Sequence, residues 1–239
     1  MSSRDDKSGP GTFGVFVTAT GTAAGKTLVS TALVRALVAR KLRVAGLKPI
    51  ETGCSPFPAD AMLLAHASGD AELAHSPAWY RAGPPLAPYA IELTTSQPPP
   101  DFEAITSQVT SIAQTHDCVV VEGAGGLLVP LDRQRSMADL AHALALPLLL
   151  VADDRLGVLS YVLAACESAE RRSLKVAAVV LNRLRVDPLD PSGSTNHRIL
   201  RERLQVPILQ FPQVPIDVES LIQGAEQAGL PDLVLSLRR

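Results

Sequence analysis

The stretch that decides the fold is Gly14-Val-Phe-Val-Thr-Ala-Thr-Gly-Thr-Ala-Ala-Gly-Lys26-Thr27. Its first residues form a short apolar run, which is typical of a buried strand. Small residues follow, and a segment of helical character begins after Thr27. In this order, the backbone N–H groups of the loop and the positive N-terminal end of the helix converge on one anion. The stretch therefore predicts a phosphate-binding loop between a strand and a helix.

The glycine spacing departs from the strict phosphate-loop pattern. The pattern requires glycine five positions before Gly25, where this chain has Thr20, and glycine stands at Gly21 instead. Lys26 is expected to reach the outer phosphates of a nucleotide, and the Thr27 hydroxyl to ligate its magnesium. An ordinary strand–helix turn with a surface lysine is the alternative, and the position between a strand and a helix favours the nucleotide site.

Composition limits the partners of the chain. The 239 residues carry a formal net charge of −2, so no basic excess points to nucleic acid. No apolar run reaches the length of a membrane span, and residues 1–10 lack the apolar core of a signal peptide. We therefore expect a cytoplasmic protein with a disordered tail at residues 1–10 and a single domain at residues 11–239. Cys54, Cys118 and Cys166 have neither zinc nor disulfide spacing.

Apolar runs alternate with helical segments along the chain. Strands are predicted at Phe13–Thr18, Arg43–Leu47, Cys118–Val121, Leu148–Val151, Val176–Leu181 and Ile208–Phe211. Helices are predicted at Leu28–Arg40, Phe102–Thr115, Met137–Leu146, Leu159–Arg171 and His197–Leu204. Continuous apolar strands indicate a sheet that is covered on both faces. The pattern predicts an α/β fold of the P-loop NTPase type, with a mostly parallel central sheet flanked by helices.

Two regions interrupt this alternation. Residues 76–100 are rich in proline and could form an exposed linker or an ordered loop near the site. The aromatic side chains of Trp79, Tyr80 and Tyr89 favour the ordered loop, because they gain from burial. Residues 184–196 are predicted to form a flexible excursion.

Ligands of open α/β sheets bind beyond the carboxyl ends of the strands, so the residues that follow each strand are the candidates for chemistry. Lys48 follows the second predicted strand, and a second lysine beside Lys26 would stabilise a phosphoryl group during transfer. A solvated lysine at a strand end is the alternative. Glu122 ends the next strand and could hold magnesium directly or through water. Glycines at 123, 125 and 126 would let the backbone approach a ligand.

Other acidic residues are weaker candidates. Glu51 is expected to point away from the site by strand alternation, and Asp117 lies at the opposite end of its strand. Asp60 opens a helical segment and could cap that helix instead of ligating a metal. Asp153 and Asp154 also follow a strand and compete as metal ligands.

Together these elements resemble the dethiobiotin synthetase family of biotin biosynthesis. The resemblance is collinear from about residue 13 to about residue 215. It rests on residues 16–27, Gly46-Leu-Lys-Pro-Ile-Glu-Thr-Gly53, Asp60-Ala61, Val121-Glu-Gly-Ala-Gly-Gly-Leu-Leu-Val-Pro-Leu131, Leu156-Gly157 and Asn182. The Lys-Pro-x-x-[Ser/Thr]-Gly and Glu-Gly-Ala-Gly-Gly elements are specific in combination.

The resemblance implies an ATP-dependent ligase that closes a ring. In this family, 7,8-diaminopelargonic acid reacts with CO2 to form a carbamate, and ATP phosphorylates the carbamate to a mixed anhydride. The second amine then attacks, which closes the cyclic urea and releases phosphate. The resemblance also implies ATP and Mg2+ as cofactors and a homodimer, with no nucleic-acid or membrane partner.

The resemblance also assigns roles to individual residues. It implies catalytic roles for Lys48, Lys26 and Thr22, and magnesium ligation by Thr27, Asp60 and Glu122. It implies diamine binding by Thr52, Gly125 and Gly157. It implies nucleotide and cofactor binding by Ala23, Ala24, Gly25, Lys26, Thr27, Leu28, Asp60, Glu122, Gly123, Ala124, Gly125, Asn182, Arg183 and Pro212, with Asn182 and the residues near Pro212 at the adenine.

The chain departs from the family pattern after Leu156-Gly157, where it reads Val158-Leu159-Ser160-Tyr161 instead of continuing towards Asn-His. In the family this segment helps to bind the tail carboxylate of the substrate. Three alternatives stay open, of which the third follows from this altered segment. They are a cobyrinic acid amide synthase domain, a nucleotide-switched dimeric ATPase of the partitioning type, and a divergent paralogue without the carboxylase reaction. The first would need a glutamine-hydrolysing domain, for which few residues remain after 215, and the second usually carries an additional lysine near Thr18-Ala19-Thr20.

Overall fold

The computed structural model describes residues 13–183 and 189–238. The strands are β1 (Phe13–Ala19), β2 (Val44–Leu47), β3 (Ile50–Thr52), β4 (Tyr80–Ala82), β5 (Cys118–Glu122), β6 (Leu148–Asp153), β7 (Val176–Asn182) and β8 (Ile208–Phe211). The helices are α1 (Lys26–Ala39), α2 (Ala59–Ser68), α3 (Pro88–Thr94), α4 (Phe102–Ala113), α5 (Met137–Ala143), α6 (Val158–Arg171), α7 (Asn196–Arg203), α8 (Val218–Gln227) and α9 (Leu230–Ser236).

A parallel sheet forms the centre of the described part of the chain, with strand order β2-β5-β1-β6-β7-β8. All residues of β1 and β5 are buried, which is why both read as continuous apolar runs. Helices cover both faces, so the predicted fold class is confirmed. Because β1 lies between β5 and β6, the loop after β1 meets the ends of both neighbours at the carboxyl edge of the sheet.

The proline-rich region is ordered and contributes its own structure. Ile50–Thr52 and Tyr80–Ala82 pair as a second, two-stranded parallel sheet, which was not predicted. Trp79 and Tyr80 are buried, and the Trp79 indole N–H donates to the carbonyl of Leu73 at 3.0 Å. The expectation of an ordered loop is confirmed, with the addition that it includes β4 and α3.

Two C-terminal helices, α8 and α9, were also not predicted. They pack against α1 through apolar side chains that include Leu221 and Val234. The Arg40 guanidinium at the end of α1 donates to Glu226 at 2.9 Å and pairs with Asp232. These contacts hold the helix that follows the phosphate loop.

Three further predictions concern the N-terminal tail, residues 184–196 and the cysteines. The predicted tail at residues 1–10 and residues 184–188 of the predicted excursion lie outside the described residues, whereas residues 189–196 contain a 3-10 turn and the start of α7. None of the helices within 13–183 and 189–238 combines the length and apolar character that a membrane crossing needs. Cys54, Cys118 and Cys166 are free thiols, and Cys118 is in the core as expected.

The contact between β1 and β5 leaves no room for a side chain at Gly14. A Cβ atom placed there would lie 2.2 Å from the Val119 carbonyl oxygen, which is backbone and cannot move aside. We expect Gly14→Ala to lower the free energy of unfolding by about 3 kcal/mol, measured by urea denaturation. Gly21→Ala is the matched control, because a Cβ atom there meets nothing within 4 Å, and we expect it to change stability by less than about 1 kcal/mol. Equal effects of the two changes would contradict this explanation.

Candidate active site

The loop after β1 has the backbone of an anion site. Thr20 N–H donates to the carbonyl of Val151 at 3.1 Å, which ties the start of the loop to β6. Ala23 and Gly25 have left-handed φ values of 59° and 85°. Left-handed residues among right-handed ones turn successive N–H groups into one concavity, and Ala23 adopts this conformation although it carries a Cβ atom. The α1 helix begins at Lys26, two residues before the predicted start.

The ends of two neighbouring strands, the helix after the phosphate loop and α2 bring four side chains together. Lys48 Nζ lies 2.6 Å from Glu122 Oε1 and 3.0 Å from the Gly123 carbonyl oxygen. The Thr27 hydroxyl donates to the same Glu122 Oε1 at 2.9 Å. Asp60 Oδ2 lies 3.4 Å from Lys48 Nζ. Lys48 and Glu122 are 4% and 0% exposed, so their charges interact in a region of low dielectric.

The pKa values of the two lysines are shifted in opposite directions. Burial and the positive charge of Lys48 lower the pKa of Lys26, against the opposing effect of Glu122 and Asp60. Burial also lowers the pKa of Lys48, but the adjacent carboxylates of Glu122 and Asp60 outweigh it, so the pKa of Lys48 is raised. The Lys48 ammonium is therefore kept charged, and a phosphoryl oxygen nearby would meet a desolvated cation.

Most of the predicted residues line one pocket of ≈360 Å³ at this edge of the sheet. Its lining comprises Thr22, Ala23, Gly25, Lys26, Thr27, Leu28, Lys48, Glu51, Thr52, Asp60, Pro85, Ala124 and Gly125. A larger crevice of ≈590 Å³ lies at the opposite end of the sheet, near Phe13, Pro147 and Lys175. We place the chemistry in the smaller pocket, because the two buried lysines and the carboxylates meet there.

The predicted residues that do not line this pocket are Ala24, Glu122, Gly123, Gly157, Asn182, Arg183 and Pro212. The Asn182 side-chain amide donates to the Ala24 carbonyl at 3.1 Å, so it braces the phosphate loop. The Arg183 guanidinium packs against Gly193, where a Cβ atom would meet Nη2 at 1.8 Å. Pro212 follows β8, and Gly157 precedes α6 with a φ of 94°. Gly157, Asn182, Arg183 and Pro212 lie at or after the carboxyl ends of β6, β7 and β8.

The expectation for Glu51 was wrong. Alternation was counted from β2, but Pro49 separates β2 from a new strand, β3, which begins at Ile50. Glu51 is buried, lines the pocket and accepts hydrogen bonds from Asp60 N and Ala61 N at 3.0 and 2.9 Å. The available signal was a carboxylate shortly before a helix that lacks a capping side chain of its own.

The alternative role of Asp60 as a helix cap was also wrong. The cap position of α2 is Pro58, which has no side-chain hydrogen bond, and Asp60 lies inside the first turn. The competing carboxylates are engaged elsewhere. Asp154 accepts from the Asn196 amide at 2.8 Å, and Asp153 pairs with Arg155 at 2.9 Å.

Glu122 has an oxygen available for a cation. Its Oε2 atom is buried and has no hydrogen-bond partner among the described residues, which is costly for a carboxylate. No group of three or more His, Cys, Asp or Glu side chains in 13–183 and 189–238 is arranged to hold a metal. A magnesium ion at Glu122 would therefore need the Thr27 hydroxyl, water and nucleotide oxygens, a mixture that magnesium commonly accepts.

Comparisons with known proteins identify the family. A family model described as an AAA domain matches residues 14–217. The ATP-dependent dethiobiotin synthetase of Anaeromyxobacter dehalogenans is 41% identical over 204 residues, which cover 84% of this chain and 91% of that protein. The enzyme of the same name from Nitrosospira multiformis is 36% identical, covering 82% and 86%. That of Aquifex aeolicus is 31% identical over 229 residues, covering 93% and 97%.

Solved structures share the architecture at low sequence identity. The MinC:MinD cell division protein complex of Aquifex aeolicus gives a TM-score of 0.58 at 15% identity, covering 94% of this chain and 95% of the matched chain. Chloroplast FtsY from Physcomitrella patens gives 0.52 at 16% identity, covering 94% and 66%. These likenesses support the fold alone, whereas the sequence relatives carry the family. The chain belongs to the family of ATP-dependent dethiobiotin synthetases.

Proposed function

We propose that the protein catalyses ATP-dependent carboxylation and ring closure of 7,8-diaminopelargonic acid to dethiobiotin. The observation that carries this proposal is the meeting of two buried lysines with a buried carboxylate beside the phosphate loop. The reaction brings an anionic carbamate towards a triphosphate, so it needs concentrated positive charge at the point of transfer. The sequence relatives bear the name of this activity.

The proposed reaction has three steps. One amine of the substrate adds to CO2 and loses a proton, which gives a carbamate. A carbamate oxygen then attacks the γ-phosphorus of ATP, ADP leaves, and a carbamic-phosphoric anhydride results. The second amine attacks the carbonyl carbon of the anhydride and loses a proton, and phosphate leaves as the cyclic urea closes.

The residues that line the pocket divide these tasks in the proposed mechanism. Lys26 holds the β- and γ-phosphates, with the N–H groups of the loop around Ala23 and Gly25. Lys48 and Thr22 bind the carbamate and the phosphoryl group in transfer. Because the Lys48 ammonium is already desolvated, little solvent reorganisation is needed when charge develops on the transferring oxygens.

Other residues bind the diamine and the adenine of ATP in this proposal. Thr52, Gly125 and Gly157 hold the diamine, and Thr52 and Gly125 line the pocket. Asn182, Arg183 and Pro212 hold the adenine from the carboxyl edge of β7 and β8. The hydrogen bond from Asn182 to the Ala24 carbonyl supports this assignment, because it links the base region to the phosphate loop.

We assign magnesium to Thr27, Asp60 and Glu122. The unpaired Glu122 Oε2 supports this set, as does the Thr27 hydroxyl, which donates to Oε1 of the same carboxylate. When bound, magnesium offsets the negative charge of the β- and γ-phosphates. Glu122 and Asp60 also keep Lys48 charged and in place.

We further propose a homodimer in the cytoplasm. Leu156 and Tyr161, at the segment that departs from the family pattern, are 74% and 59% exposed. Exposed apolar side chains of this size favour a protein partner, and a second copy is the partner implied by the family. A cytoplasmic location accords with the proposed use of ATP.

The substrate requirement of ATP turnover tests the function. Phosphate release by the purified protein is expected to require both the diamine and bicarbonate, and dethiobiotin should appear in equal amount. Omission of either substrate is expected to lower the rate by at least about 100-fold, since the phosphoryl acceptor is then missing. ATP turnover that is indifferent to the diamine would instead identify a nucleotide-switched ATPase or a paralogue that has lost the carboxylase reaction.

A further inference from the structure

Glu51 is a buried carboxylate in the pocket for which the mechanism above has no role. It is 6% exposed and lies on β3, where it pairs in register with Arg81 of β4. Its two oxygens are already used, Oε1 by Asp60 N at 3.0 Å and Oε2 by Ala61 N at 2.9 Å. A carboxylate with both oxygens bound to amides is poorly suited to ligate a metal. Its role therefore concerns the backbone of Asp60 and Ala61, which it holds.

The helix that Glu51 caps cannot cap itself. The cap residue of α2 is Pro58, whose side chain accepts no hydrogen bond. The first N–H groups of a helix lack partners within the helix, and a carboxylate at this end is also favoured by the helix dipole. Because Glu51 lies on β3 and not on α2, these two hydrogen bonds fix the start of α2 relative to the small sheet.

The same turn of α2 presents Asp60 to the active site. The Asp60 amide is bound by Glu51, while the Asp60 carboxylate lies 3.4 Å from Lys48 Nζ. The amide and the carboxylate belong to the same residue, so a shift of this turn moves the Asp60 carboxylate relative to Lys48 and Glu122. Groups that orient a metal ligand commonly alter metal affinity by about 10- to 100-fold when they are removed.

We propose that Glu51 is a positioning residue, whose carboxylate holds the first turn of α2 so that Asp60 faces Lys48 and the magnesium assigned above. This inference rests on the proposed function for the role of Asp60. The capping itself is independent of that function. The proposal predicts that loss of the Glu51 charge weakens magnesium binding through Asp60 and not through general loss of structure.

A double-mutant cycle tests the proposal. Glu51→Gln keeps the size of the side chain but removes its charge and one acceptor, and we expect the magnesium concentration for half-maximal activity to rise about tenfold. In the Asp60→Asn background, the same change is expected to raise that requirement by less than about twofold, because the residue through which it acts is already altered. Calorimetric titration of magnesium with a non-hydrolysable ATP analogue should give the same pattern without turnover.

A helix cap outside the pocket provides the control. Asp101→Asn removes the capping carboxylate of α4, whose side chain accepts from Ala104 N at 2.9 Å outside this pocket, and it should leave the magnesium requirement unchanged. Equal effects of Glu51→Gln in both backgrounds, or an unchanged magnesium requirement, overturn the proposal. Failure of dethiobiotin formation by the unmodified protein would refute the proposed function, while the calorimetric arm still decides the role of Glu51.

Amide exchange provides a measurement that needs no variant. In the unmodified, metal-free protein, the Asp60 and Ala61 amides should exchange slowly with solvent deuterium, because Glu51 binds both. Exchange of these two amides as fast as in an unstructured chain, within an otherwise folded protein, would overturn the capping on which the proposal depends.

Discussion

The Lys48→Ala variant is expected to lose at least about 100-fold in kcat while its affinity for ATP changes by less than about threefold. Lys48 lies at the carboxyl end of β2, buried and kept charged by Glu122 and Asp60. Lys26, on the phosphate loop, remains to hold the nucleotide. An interaction made with the transferring group, and not with bound ATP, lowers kcat and kcat/KM together.

The measurement is steady-state phosphate release, together with calorimetric titration of a non-hydrolysable ATP analogue. Lys175→Ala is the matched control, because Lys175 is exposed and lies at the opposite end of the sheet. It should retain the full rate. Near-normal turnover by the Lys48→Ala variant would contradict the catalytic role, and an equal loss of ATP affinity would assign Lys48 to nucleotide binding.

The central sheet could be predicted because its strands carry a local signal. A strand that is buried on both faces is expected to be apolar along its length. The strands β1, β2, β5, β6 and β7 are apolar except near their carboxyl ends, whereas the edge strand β8 exposes Gln210. The strands β3 and β4 have only three residues each and lie beside prolines, so their apolar patterns are too short to distinguish from loops. Their pairing depends on contacts between residues about 30 positions apart.

The C-terminal helix α8 was not predicted, although its sequence carries a local helix signal. Asp217 precedes α8 and accepts from Ser220 N at 2.9 Å, which is an ordinary helix start. Leu221 and Ala225 follow at the spacing of one helix face and are both buried. The sequence could therefore have predicted this helix, although not that it packs on α1.

The active-site lysine and glutamate could be predicted for a geometric reason. Lys48 directly follows β2, and Glu122 ends β5, which is hydrogen-bonded to β2. Once both strands were assigned to a parallel sheet, both side chains had to lie at its carboxyl edge. The pairing of β2 with β5, which the structure adds, brings them together. The role of Glu51 could not be found in this way, because its partners belong to a helix that begins eight residues later and approaches only in the folded chain.

Glu122→Gln is expected to raise the magnesium concentration for half-maximal activity at least about tenfold. Oε2 of Glu122 is the buried, unpaired oxygen that supports the assigned metal site, and Oε1 already accepts from Lys48 and Thr27. The amide of glutamine keeps one acceptor and replaces the other oxygen by a donor, which repels a cation. The change also removes the negative charge closest to the Lys48 ammonium.

The magnesium titration separates these two consequences. Loss of a metal ligand lowers activity at limiting magnesium and is overcome by excess magnesium, whereas loss of the Lys48 counter-charge persists at saturation. We therefore expect a rightward shift of the titration together with a reduced maximum. Glu103→Gln is the control, because Glu103 is 81% exposed and pairs with Arg135 away from the pocket. A titration with an unshifted midpoint would remove Glu122 from the metal site, and its buried charge would then serve Lys48 alone.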